Sequence, residues 1–145
     1  MSEEWHIICY KEVDVTQKTD ENQETDQTQP IQELLKDLSL TPGELKQLQV
    51  RLFLLKNKGL SLLVERSDIL DKIETEKNLY ELRLDNTPNN PRFFLCALTG
   101  KRLVILHAFK KKGRKTPQNE INLAAKRRDL ILAQEAKKEK GNYDK

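Results

Sequence analysis

The period of apolar and polar positions changes along the chain and divides it into recognisable pieces. Trp5 to Tyr10 (WHIICY) is a run of β-formers and predicts one short strand, with Trp5, Ile7 and Cys9 on one face and His6, Ile8 and Tyr10 on the other. From Thr16 to Gln29 there is no hydrophobic residue, and Thr, Gln, Asp and Glu dominate. Such a stretch has nothing to bury against the entropy of ordering its backbone, so 14–29 is expected to be a flexible acidic insertion. Pro30 opens a helical pattern, Ile31, Leu34, Leu35 and Leu38. Thr41-Pro42-Gly43-Glu44 then carries a helix start: Thr41 as N-cap, Pro42 at the first helical position and Glu44 where a capping box needs its carboxylate. Leu45, Leu48, Leu52 and Leu55 line one face of that second helix, and Gly59 is placed to end it. The two helices predict a hairpin. Residues 60–73 follow neither period and are expected to be a connection with at most one more helical turn.

After residue 77 the period falls from about 3.6 to 2. Leu79 to Leu84 (LYELRL) alternates, with Tyr80, Leu82 and Leu84 on one face and Glu81 and Arg83 on the other. The stretch Asp85 to Pro91 holds two prolines and three asparagines and must turn. Arg92 to Leu98 (RFFLCAL) and Arg102 to Phe109 (RLVILHAF) predict two further strands joined by a tight turn at Thr99-Gly100-Lys101. The last strand is apolar on both faces and is expected to be central. Thr116 and Pro117 start a long helix to about Glu139, with Ile121, Ala124, Ala125, Arg128, Ile131 and Leu132 at roughly helical spacing. The sum is an α+β fold: a small antiparallel sheet with an N-terminal helical hairpin and a C-terminal helix, the helices on one side.

Composition adds limits. With 145 residues, 37% hydrophobic and 34% charged, the chain predicts a single domain, 1–145, with a modest core. No run approaches the roughly 18 apolar residues that span a bilayer. Met1-Ser2-Glu3-Glu4 lacks the basic and apolar regions of an export signal, so a cytoplasmic protein without membrane contact is expected. Cys9 and Cys96 lie in apolar stretches away from any CxxC or histidine cluster and suit reduced core residues. With five glycines and no phosphate loop, GxSxG, HExxH or paired carboxylates, the chain predicts no cofactor and no metal.

Charge is what remains. The net of +3 hides a division: residues 1–76 carry 9 basic against 16 acidic side chains, residues 101–145 carry 14 against 5. That asymmetry hints at a polyanionic partner, although a solvated basic rim is the plainer reading of a charged run. Arg83 and Arg92 fall at corresponding ends of two neighbouring strands, and the last strand runs into Lys110, Lys111, Lys112, Arg114 and Lys115. Metal-free RNA cleavage needs a deprotonated 2′-hydroxyl aligned with its phosphate and stabilisation of the pentacoordinate state, which fixed guanidinium and ammonium groups can supply. Arg92 and Lys111 are expected at the surface. His107 shares strand parity with Ile105 and Phe109, so a core histidine held by a local hydrogen bond competes with a general base. Tyr80 reads as core, and Trp5 as either core or interface.

Three separate strings carry a resemblance: LYELR at 79–83, Arg92 opening the next strand, and LHAFKKKGRKTPQNEI at 106–121. Their order and spacing closely resemble the toxins of bacterial type II toxin–antitoxin pairs, in the phage-derived HigB branch of the RelE/ParE superfamily. The resemblance implies an endoribonuclease that cuts translated mRNA on the ribosome, restrained by a helix-turn-helix antitoxin of the HigA kind. By motif position it implies a catalytic cluster of Arg83, Arg92, Lys111 and Lys112, and RNA phosphates held by Lys110, Arg114 and Lys115; His107 remains a secondary catalytic candidate on its own chemistry. Two other functions belong to the same superfamily fold: a ParE-like toxin that inhibits gyrase, and a non-catalytic member that binds only RNA or its antitoxin. The second is suggested by Pro91 where an aromatic usually precedes the strand arginine, and by Leu95 where tyrosine is common.

Overall fold

The computed structural model describes residues 4–12, 28–84 and 86–143, with side chains through 138. In chain order the elements are β1 (His6–Tyr10), β2 (Thr28–Gln29), α1 (Ile31–Leu35), α2 (Pro42–Lys58), a 3-10 turn (Gly59–Ser61), α3 (Leu62–Glu65), β3 (Leu70–Lys72), β4 (Tyr80–Arg83), β5 (Pro91–Leu98), β6 (Arg102–Lys110) and α4 (Gln118–Tyr143). The strands form one sheet in the order β2-β1-β6-β5-β4-β3. Every neighbouring pair is antiparallel except β1 and β6, which run parallel, so the sheet is mixed. Most of the acidic stretch expected to be a flexible insertion, 14–27, lies outside the described residues. Its last two positions correct the expectation. Thr28 and Gln29 form β2, paired through Tyr10↔Thr28 and Cys9↔Gln29, with the Gln29 amide donating to the Tyr10 carbonyl at 2.8 Å.

The capping chemistry read at Thr41 is present on both sides: the Glu44 N–H donates to the Thr41 hydroxyl at 3.1 Å, and the Thr41 N–H donates to Glu44 Oε1 at 2.9 Å. Gly59 ends α2 with φ of +54°, where an added Cβ would fall 2.0 Å from the Trp5 indole. Trp5 therefore packs into the joint between the first strand and the second helix. The stretch expected to be a connection holds α3 and also β3, a strand of three residues, too short to show a period.

Helices cover both faces of the sheet rather than one. Leu38, Leu48, Leu55 and Leu62 of the helical layer pack on Leu82, Phe93, Leu95 and Ile105. Ile121, Ala124 and Ile131 of α4 pack on Phe94, Cys96, Val104 and Leu106 of the opposite face. The reason was in the strands themselves: β5 and β6 are apolar on both sides, and a sheet of that kind needs cover on both.

Candidate functional site

The β4–β5 and β5–β6 registers gather the polar residues of the α4 face into two rows. Glu81 of β4 stands opposite Phe94 of β5, which stands opposite His107 of β6, and Asp71 of β3 extends that row outward. The next row is Arg83, Arg92 and Phe109. Directly opposed residues of an antiparallel pair share a face, so these side chains converge where α4 begins.

Simple alternation would not have put His107 there. The β5–β6 register shifts between Phe94 and Leu95, leaving Leu106 with no partner in β5. This bulge places two consecutive residues of β6 on the α4 face and separates His107 from Ile105, whose side chain faces the helical layer. The expected parity of His107 with Ile105 is corrected; its parity with Phe109 stands, and the two rings stack with centroids 5.6 Å apart. His107 Nε2 is hydrogen-bonded to Glu120 in the first turn of α4. It is thus a satisfied histidine beside a cationic cluster, and the ring keeps 16% of its surface exposed.

Glu81 is the centre of the cluster. Its carboxylate is 2% exposed in a strand otherwise flanked by apolar residues. Oε1 accepts from Arg83 Nε at 2.5 Å and lies 3.9 Å from Arg92 Nε, while Oε2 accepts from the Thr116 hydroxyl at 3.4 Å. Arg83 also pairs with Asp71 at 3.3 Å. Its backbone carbonyl accepts from Arg51, a buried arginine of α2 reaching across from the other layer. Arg92 donates to the carbonyls of Leu84 and Pro91, and its side chain is only 14% exposed, so the expectation that it is a surface residue is corrected. Arg83, 35% exposed, is the more open of the two. Neither Glu81 nor Glu120 was assigned a role from sequence. The signal for Glu81 was an acidic residue sharing strand parity with Arg83; for Glu120, it was a carboxylate three residues after Pro117 at the head of a helix.

The basic run is distributed rather than clustered. Lys110 pairs with Pro91, which gives it the parity of Phe93 and takes it out of the Arg83–Arg92 row. Lys111 is half-buried, its N–H bonded to the Asn90 carbonyl at 3.0 Å. Lys112, Arg114 and Lys115 are exposed in the connection to α4, which begins beside the arginine row and returns at Thr116 over Glu81. The cations from Lys111 to Lys115 therefore lie along the chain between the arginine row and the Thr116–Glu81 contact. The Asn90 loop is held in turn by Glu44, which accepts from the Asn89 N–H at 3.1 Å and from the Asn89 side chain at 2.6 Å.

The model of the family "Phage derived protein Gp49-like (DUF891)" matches residues 35–129, roughly two thirds of the chain. The chain belongs to that family. Gp49-like proteins fall within the RelE/ParE-like toxin superfamily. The matched span takes in Glu81, Arg83, Arg92, His107, the basic connection and Glu120, and leaves β1 and β2 of this Gp49-like chain outside it. No curated protein matches the chain. The architecture is compatible with a RelE-like fold. Among the described residues no helix is long and apolar enough to cross a membrane.

Leu95 and Pro91, the two positions that depart from the HigB-like pattern, also find their place. Leu95 is 1% exposed in the core under the helical layer, and Pro91, buried as well, shares its parity. Both have the parity opposite to Arg92, so an aromatic at either position would lie on the side of the sheet away from Arg83 and Arg92.

Proposed function

We propose that the chain is the toxin of a type II toxin–antitoxin pair, a metal-independent endoribonuclease of the HigB kind that cuts mRNA during translation on the ribosome. The observation that carries this reading is the pairing of Arg83 with Arg92 on the face that also bears the His107–Glu120 pair. In this reading a phosphate of the RNA lies against the two guanidiniums, which keep their charge at any working pH. The 2′-oxygen attacks the adjacent phosphorus and the bond from phosphorus to the 5′-oxygen breaks, leaving a 2′,3′-cyclic phosphate and a 5′-hydroxyl. The arginines stabilise the charge that develops on the non-bridging oxygens of the pentacoordinate state. The 2′-hydroxyl gives up a proton and the departing 5′-oxygen takes one up; His107 moves one of these and water exchanges the other, while Glu120 fixes the ring. Glu81 is too buried to meet the substrate and acts by holding the arginines side by side. Lys111 and Lys112 contact the phosphate next to the scissile one, and Lys110, Arg114 and Lys115 hold the flanking backbone. A helix-turn-helix antitoxin and the ribosome are the partners this reading requires.

The test compares the wild-type chain with His107→Gln, a substitution that retains a side chain able to bond Glu120. Wild-type expression from a tightly controlled promoter is expected to stop growth and to create new RNA ends in a translated reporter, and none in a copy lacking its start codon. The purified variant should cleave ribosome-bound mRNA about 10²–10⁴-fold more slowly. Growth arrest with intact mRNA overturns the reading, and inhibition of gyrase supercoiling by the purified protein would put a ParE-like activity in its place.

A further inference from the structure

The bulge in β6 decides which way His107 faces, and one side chain outside the arginine cluster holds that bulge. Leu106 has no partner in β5, and the parallel ladder with β1 also ends one residue earlier, at Cys9↔Ile105. A residue left out of both ladders needs another donor for its carbonyl. Arg127 of α4 supplies it, donating from Nη1 to the Leu106 carbonyl at 2.8 Å. The guanidinium is fixed from two further sides: it lies over the buried Tyr10 ring, 5.3 Å from the centroid, and pairs with Glu12 at 3.6 Å. Arg127 follows Glu120 by seven residues, about two helical turns, so one face of α4 grips consecutive residues of β6 at the Leu106 carbonyl and at the His107 ring.

We propose that Arg127 is a positioning residue which holds the Leu106 bulge and thereby keeps His107 on the face of Arg83 and Arg92. A strand relaxed into plain alternation would put residue 107 on the parity of Ile105, in the core beneath α2, because a one-residue slip exchanges the two faces. Tyr10 and Glu12 belong to the first strand and its exit, outside the matched family span, so the N-terminal strand takes part in setting the histidine's geometry. The use made of His107 rests on the nuclease reading; the geometry itself does not.

The experiment reads that geometry without RNA. The chain has two histidines, and His6 is exposed, which makes it an internal reference for imidazole NMR. His107 contacts Glu120 of α4 and the Phe109 ring and stands opposite Phe94 of β5, and the charged groups sharing its face are Arg92 of β5 and Glu81 and Arg83 of β4. In Arg127→Ala the His107 ring signals are expected to lose the shift imposed by Phe109 and to move towards those of His6. Arg127→Lys, which keeps a donor and a cation, should restore them in large part. Arg128→Ala is the control for general loosening of α4, because Arg128 anchors the same helix to Glu76 and to the Lys77 carbonyl. Its His107 signals should stay as in the wild type. Unchanged His107 signals in Arg127→Ala, or an equal change in Arg128→Ala, overturn the proposal. If the signals move as expected and the wild-type chain cuts no mRNA, the nuclease reading has failed and the positioning role stands.

Discussion

Two arginines directly opposite each other on neighbouring strands repel, and like charges in that position are destabilising. Arg83 and Arg92 tolerate it because Glu81 lies between them in the adjacent row, within 2.5 Å of one and 3.9 Å of the other. Removing one member of a buried ion cluster costs more than its net contribution, since the remaining charges are left uncompensated. Glu81→Ala is therefore expected to lose about 2–4 kcal/mol of stability in urea unfolding, while binding an uncleavable RNA at least as tightly as the wild-type chain. A variant as stable as the wild type would remove the buttress role. The arginines were legible in the sequence because strand alternation and a motif placed them. The role of Glu81 was not, because it depends on the register between strands separated by the Asn-Pro-rich turn. The facing of His107 was misread for a similar reason: one unpaired residue, invisible to a period of two, reversed it.

At the scale of elements, the local signals read well where backbone chemistry decides the outcome. The capping box at Thr41, the stop at Gly59 and the Thr99–Lys101 turn all depend on residues within a few positions of one another, and all are present. β2 and β3, of two and three residues, exist only through their neighbours and leave no periodic trace. The N-terminus of α2 does more than start a helix, because Glu44 also ties the Asn89 loop that precedes Arg92. Burial alone would raise the Glu44 carboxyl. Hydrogen bonds from the Thr41 N–H, the Asn89 side chain, the Thr87 hydroxyl and the Asn89 N–H outweigh it and bring the carboxyl to about 2. A carboxyl lowered on folding contributes stability that is complete above its unfolded value near 4.5 and disappears as pH falls towards 2. Allowing for solvent screening at a helix end, that contribution is roughly 2 kcal/mol. Glu44→Gln should therefore flatten the loss of stability between those pH values in denaturant titrations, and a variant whose acid limb parallels the wild type would show that other carboxylates govern it.

For the whole molecule, the sequence order of helices and strands gave the α+β class, but which face each helix covers follows from burial on both sides of β5 and β6. The parallel seating of β1 against β6 is a long-range choice of the same kind. Charge divides along the chain in step with this arrangement, with four cations among residues 111–115 in the connection that leaves the arginine row and the acidic excess in residues 1–76. If single-stranded RNA lies along that connection, each phosphate neutralised releases counterion, and the logarithm of affinity should fall with the logarithm of salt at about 0.7 per contact. Engagement of Arg83, Arg92 and about three of those four cations predicts a slope near −3.5. Lys112→Gln combined with Arg114→Gln removes two exposed contacts and should make the slope shallower by about 1.4, with a similar loss of affinity for unrelated sequences because phosphates carry no base identity. Fluorescence anisotropy with a 2′-O-methyl RNA, which lacks the attacking hydroxyl, measures the slope without cleavage. A slope unchanged in the double variant would mean that the RNA crosses the molecule elsewhere and that the basic connection is only a solvated rim.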